Sequence, residues 1–158
     1  MTPRSKSNTK TSLLTLLLIA VLYFITIFIN VKRIALSNEG MLAQLKPDAN
    51  EKLSSFIKKI ESTTKWKVEI ISGLRSKERQ AELKNENRKN ASPENSKHVR
   101  GLAIDINLYK PFSFDRLKKS SAKADWTSTG IREIATELGL EWGGDYKTYH
   151  DPVHLELQ

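Results

Sequence analysis

The 158-residue chain has no cysteine, and this excludes the thiolate-built sites that hold most structural zinc ions. The same absence is compatible with an oxidising compartment without identifying one. Aromatic residues make up only 8% and apolar residues 39%, enough for a single modest core. No internal repeat or low-complexity tract is visible. Acidic residues are missing altogether from the first 33 positions, which hold Arg4, Lys6, Lys10, Lys32 and Arg33. Removing those five from the 26 basic residues leaves 21 against 18 acidic ones, so most of the net charge of +8 belongs to the N-terminus. The remainder is too balanced for a nucleic-acid surface, and no basic groove studded with aromatics accompanies it.

The basic tail gives way to an almost unbroken apolar run, from Ser12 to Ile29. At the helical rise its apolar stretch covers about 25 Å, close to the hydrocarbon thickness of a bilayer. A core helix would need a polar face, which this segment lacks. It is long for the apolar part of a signal peptide, and Lys32 and Arg33 stand before the small residues Ala35-Leu-Ser37, where a charged segment disfavours cleavage. The expectation is an uncleaved anchor, with secretion after cleavage as the alternative. Counting charges does not orient the span, because basic residues flank both ends. The expected layout is a polar tail over 1–11, a transmembrane helix over 12–30, a linker over 31–47 with a break at Asn38-Glu-Gly40, and one domain over 48–158.

Within that domain, Asp48-x-x-Glu51 reads as a capping box, and Leu53, Phe56, Ile57 and Ile60 keep helical spacing on one face. Trp66 to Ser72 reads as a strand. Ser76 is placed to cap a charged surface helix from Lys77 to about Lys89, whose inner side includes Gln80 and Leu83. Residues 110–126 carry no clear period and read either as a solvated loop or as an insertion whose Phe112, Phe114 or Trp126 flanks a cleft. From Ser128 a helix turns Ile131, Ile134, Ala135 and Leu138 inward and stops at Gly139. Trp142-Gly-Gly-Asp145 then reverses the chain, with Asp145 bonding its own backbone in that turn.

Two strands carry the chemistry. From Gly101 the chain alternates, with Leu102, Ile104, Ile106 and Leu108 on one face and Asp105 among small residues on the other; His98 stands at the strand's entrance. At the C-terminus Val153, Leu155 and Leu157 alternate with His154 and Glu156. Two imidazoles and one carboxylate, His98, His154 and Asp105, form an N/O set suited to Zn2+, and three protein ligands leave the fourth tetrahedral position for water. His150 lies four residues before His154, but Pro152 breaks any helix between them, so His150 reads as a bystander.

Three motifs together resemble the peptidoglycan-cleaving zinc peptidases, the D-alanyl-D-alanine carboxypeptidases and L-alanyl-D-glutamate endopeptidases. They are Ser96-x-His98-x-x-Gly101-x-Ala103-x-Asp105; Ser72-Gly-Leu-Arg75-Ser with Gln80; and Glu141-Trp-Gly-Gly-Asp-Tyr146 followed by Asp151-x-x-His154. The resemblance runs from about Asp48 to Gln158. It implies an α+β fold with a small, mainly antiparallel sheet, helices on one side and a zinc cleft on the other. It implies hydrolysis of a peptide bond in peptidoglycan stem peptides, with Asp151 as general base, Arg75 on the oxyanion, and Gln80 and Ser96 bonding substrate. Glu156 is the rival base; otherwise it is a carboxylate that orients a ligand histidine. Stem peptides lie outside the cytoplasmic membrane, so the domain is expected on the periplasmic or extracellular side. The tryptophan-glycine motif and the aspartate base favour the endopeptidase branch. A module that binds cell wall or protein without cleaving is the alternative, and a tethered structural protein with incidental histidines would bind no metal.

Overall fold

Alternation along Ala103–Tyr109 makes this segment the central strand, β2, of a five-stranded antiparallel sheet in the computed structural model, which describes residues 8–158 with side chains from residue 12. Of the expected polar tail, residues 1–7 lie outside the described residues. The remaining strands are β1 (Lys67–Ser72), β3 (Arg116–Leu117), β4 (Leu140–Trp142) and β5 (His154–Leu157). The order across the sheet is β1-β2-β5-β4, and β3 pairs with the far end of β2 at Leu108 and Tyr109. The fold class is thus α+β with an antiparallel sheet.

The helices are α1 (Asn8–Leu42), α2 (Pro47–Thr63), α3 (Lys77–Glu86), α4 (Lys123–Thr127) and α5 (Ile131–Glu137). The chain divides into two compact units, one up to Arg33 and one over Ile34–Gln158. In the first, α1 carries the apolar run, long enough to cross a membrane; a signal sequence near an N-terminus has the same character. In the second, α1 continues through Asn38-Glu-Gly40, where a break was expected. A tertiary contact explains the continuity: Asn38 is buried, its Nδ2 donates to Val68 O and its Oδ1 accepts from Ile70 N–H, each at 2.9 Å. Glu61 Oε1 accepts from Val68 N–H at 3.1 Å, so these two side chains occupy the outer edge of β1 that would otherwise invite another strand.

Leu53, Phe56 and Ile60 of α2 meet Ile104, Ile106 and Leu108 of β2, Leu155 of β5 and Ile131 of α5 in one core. The expected capping box is replaced by a different start. Pro47 opens α2 at a position where its missing N–H costs nothing, and the Lys46 N–H donates to Gly101 O at 3.0 Å. Ser76 does cap α3, accepting from Arg79 N–H at 3.1 Å, but the helix ends at Glu86, before Lys89. Gly101 adopts φ +68 in the turn that precedes β2, so the strand starts two residues later than alternation alone indicates. Trp126 faces the core and not a cleft: it is fully buried and its Nε1 donates to Lys118 O. Phe112 and Phe114 are exposed on the β2–β3 connection. Asp145 bonds Arg132 at 2.7 Å and pairs with Lys123, an inter-element link in place of the expected local turn bond.

After β4 the chain turns through a 3-10 segment, Gly143–Asp145, where there is no room for side chains on the two glycines. A Cβ on Gly144 would lie 2.2 Å from the Trp142 indole, and one on Gly143 would lie 2.5 Å from Asp151 O. The indole is itself fixed, buried with Nε1 donating to Pro152 O at 2.7 Å. Gly144→Ala should therefore destabilise the fold by about 1–3 kcal/mol, the usual range for overpacking, read as a lower midpoint in denaturant. An unchanged midpoint would show that the indole has room to move.

Candidate metal centre and cleft

Strand register builds the centre. Asp105 on β2 lies directly opposite His154 on β5, so two of the three anticipated ligands are cross-strand neighbours. On the other side of β2 an irregularity in β1 between Ile70 and Ser72 leaves Ile71 unpaired and brings Ser72 opposite Asp105. His98 arrives from the turn before β2, its carbonyl accepting from Arg75 N–H at 3.3 Å and Gly101 N–H at 3.1 Å. His98 Nε2 is 3.1 Å from Asp105 Oδ1 and 3.3 Å from His154 Nδ1, and His154 Nδ1 is 3.0 Å from the same oxygen. The structure thus brings His98, Asp105 and His154 together.

The remaining ring nitrogens decide what this cluster needs. His98 Nδ1–H donates to Gly73 O at 2.8 Å, and His154 Nε2–H donates to Glu156 Oε2 at 2.9 Å. With both protons committed outward, Nε2 of His98, Nδ1 of His154 and a carboxylate oxygen face one another as three acceptors. A cation satisfies all three. Zinc bonded at its usual 2.0–2.2 Å sets tetrahedral ligand atoms about 3.4 Å apart, close to the observed spacing. The residues present therefore fit zinc. Burial disfavours charge on Asp105 and His154, but their mutual bonds outweigh it. Asp105 is held well below the usual carboxylate range by His154 and His98, and His154 is pushed up to about 9 by Asp105 and Glu156.

Glu156 stands on the outer nitrogen of His154. Burial raises its carboxyl, but the His154 hydrogen bond and charge bring it below its ordinary value. A carboxylate on the outer nitrogen fixes the tautomer and strengthens the ligand, so Glu156→Gln should weaken zinc binding about 10–100-fold, measured by competition with a chromogenic chelator. Wild-type affinity in that variant would remove Glu156 from the metal site.

Arg75 is half-buried beside the centre. Its Nη1 donates to Gln80 Oε1 at 2.7 Å, and its Nη2 donates to Ser72 Oγ at 2.7 Å and Asp105 Oδ2 at 3.2 Å. Gln80 is buried and passes its Nε2–H to Ala91 O at 2.8 Å, which ties the guanidinium to the loop after α3. Ser96 is buried at the cleft, its Oγ accepting from Val99 N–H at 3.4 Å. Asp151 lines the same cleft of about 320 Å3, together with Tyr146, Tyr149, Lys97 and Lys119. Lys119 Nζ hydrogen-bonds Asp151 Oδ2 at 3.2 Å. Oδ1 is equally near Lys119 but not aligned for a hydrogen bond, and it is a buried acceptor with no hydrogen-bond partner. His150 is exposed. Sequence reasoning missed Lys119, which lies in the aperiodic 110–126 segment and carries no local signal. It also missed Tyr149. Tyr146 belongs to a motif already singled out.

Two histidines and one carboxylate at a sheet surface, with an open cleft beside them, form a candidate mononuclear metal site that leaves a coordination position open towards the cleft. Residues 89–157 match the family model described as D-alanyl-D-alanine carboxypeptidase. The chain is 36% identical over 102 residues to the peptidoglycan L-alanyl-D-glutamate endopeptidase CwlK of Bacillus subtilis (strain 168), an alignment covering 57% of this chain and 60% of that protein. The crystal structure of the L-Ala D-Glu endopeptidase ChiX of Serratia marcescens has the same fold, with a TM-score of 0.58, 24% identity, and 77% of this chain covering 86% of that one. Over the matched residues the chain is similar to peptidases of the Peptidase M15 family, it spans about three fifths of the length of the curated relative it matches, and His98, Asp105 and His154 are its candidate metal ligands.

Proposed function

We propose that this chain hydrolyses a peptide bond in peptidoglycan stem peptides. The observation that carries the reading is the set of three inward-facing acceptors, His98 Nε2, Asp105 Oδ1 and His154 Nδ1, in one cleft with Asp151 and Arg75. The names of the relatives supply the substrate class. When bound by His98, Asp105 and His154, zinc polarises a carbonyl and lowers the pKa of water to about 7. The chain's own groups do the rest. Asp151 Oδ1, buried and lacking a hydrogen-bond partner, takes the proton of the attacking water and returns it to the leaving amine. Arg75, braced by Gln80 and Ser72, faces the oxygen on which negative charge develops. Gln80 acts through Arg75, with both ends of its amide already committed, and Ser96 borders the substrate.

In this reading the helices cover the apolar side of the sheet and the cleft opens on the other. Residues 12–30 anchor the chain as a single span, and the domain that follows works on the outer side of the cytoplasmic membrane. Release after signal cleavage is the alternative placement. The endopeptidase branch is favoured by the Glu141-Trp-Gly-Gly-Asp-Tyr146 motif and the aspartate base.

The test uses the full chain in detergent micelles, loaded with zinc and incubated with purified peptidoglycan, with the released peptides followed by mass spectrometry. New peptide termini that disappear with chelator and return with zinc are expected, and their masses name the bond. Stoichiometric zinc without cleavage would replace the peptidase reading with a binding module. Absence of both would remove the metal site.

A further inference from the structure

The cations of the cleft are not equivalent. Arg75 is committed to Gln80, Ser72 and Asp105. Lys97 donates to Leu157 O at 2.7 Å and pairs with Glu156 at 3.7 Å. Lys119 differs from both: its side chain is 66% exposed, it stands on the irregular connection between β3 and α4, and among the described residues its ion pair is with Asp151 alone. It is the cleft cation able to turn towards an incoming anion without abandoning a structural bond.

Its position specifies which anion. Asp151 must come within hydrogen-bond reach of the leaving amine to return a proton there. Lys119 Nζ is 3.2 Å from both Asp151 oxygens, so a group held by Lys119 lies a few bonds from that amine. In an amino acid the α-carboxylate is separated from the amine by one carbon. We propose that Lys119 is a specificity-determining residue that recognises a free α-carboxylate on the residue whose amine leaves, an inference that rests on the peptidase reading above. Stem-peptide bonds of two kinds place a carboxylate there. A D-glutamate linked onward through its side chain keeps its α-carboxylate, and a terminal D-alanine has its own. An α-amide in the same place offers Lys119 no charge.

The experiment gives the zinc-loaded full chain four synthetic peptides in detergent: an L-Ala-D-Glu substrate with the glutamate α-carboxylate free or amidated, and a D-Ala-D-Ala substrate with the terminal carboxylate free or amidated. Wild type, Lys119→Gln and Lys119→Arg are compared. At whichever bond the wild type cuts, acid should be preferred over amide by about tenfold in kcat/KM, the worth of a charged hydrogen bond. Lys119→Gln should abolish that preference through a higher KM for the acid, and Lys119→Arg should restore it. The pair that responds identifies the source of the carboxylate. Equal preference in the wild type overturns the inference, and so does a Lys119→Gln variant that slows acid and amide alike, which would confine Lys119 to supporting Asp151. If the wild type cuts none of the four, the inference is overturned, and the peptidoglycan digest above decides the peptidase reading separately.

Discussion

Asp151→Asn is expected to lower kcat on stem peptides by about 10^2–10^4-fold while zinc content and fold are unchanged, the usual cost of losing a general base. The side chain can share the cleft with His154 only because the chain turns between them. In an unbroken strand, positions three apart face opposite sides of the sheet. Here Asp151 N–H donates to Gly143 O at 3.1 Å, Asp151 O accepts from His154 N–H at 3.1 Å, and Trp142 Nε1 holds Pro152 O. This backbone clamp persists in the asparagine variant, which is isosteric but cannot accept a proton. Glu156→Gln provides the contrast, because its first effect should be on zinc affinity and saturating metal should recover most of its activity. If Asp151→Asn retains wild-type kcat while zinc-saturated Glu156→Gln loses it, the two carboxylates exchange roles.

The centre was legible in the sequence because its determinants are local and periodic. Alternation in 101–108 assigns Asp105 to the face opposite Ile104 and Ile106, and alternation in 153–157 does the same for His154; pairing the strands makes the two side chains neighbours. The proline at 152 likewise announced a turn. What the sequence did not disclose depends on contacts across the chain. Asn38 reads as a helix breaker by composition, yet two hydrogen bonds to the β1 backbone hold it in a helix. Trp126 and Lys119 share one aperiodic segment with nothing to separate core from cleft, and the fold sends the first inward and the second to Asp151. Gln80 is recognisable by position in a motif, but its role as the brace of Arg75 requires the loop at Ala91, eleven residues away.

His154→Ala should abolish stable zinc binding and reduce cleavage by about 10^4-fold or more, the several kcal/mol of transition-state stabilisation that a metal supplies. The fold should survive. Val153 and Leu155, the neighbours that enter the core, are untouched; Asp105 keeps Arg75, and Glu156 keeps Lys97. His98→Ala should lose zinc equally but cost more stability, because His98 is buried and its Nδ1–H satisfies Gly73 O in the loop that carries Arg75. Leaving that carbonyl unpaired adds about 1–3 kcal/mol. Denaturant midpoints of the two variants, both measured without metal, separate the contributions: a lower midpoint for His98→Ala assigns it a structural as well as a ligating role. Equal midpoints would mean that water replaces the imidazole at Gly73 O. Zinc retained at wild-type affinity in either variant would overturn the three-ligand centre, since two remaining ligands cannot hold the ion as three do.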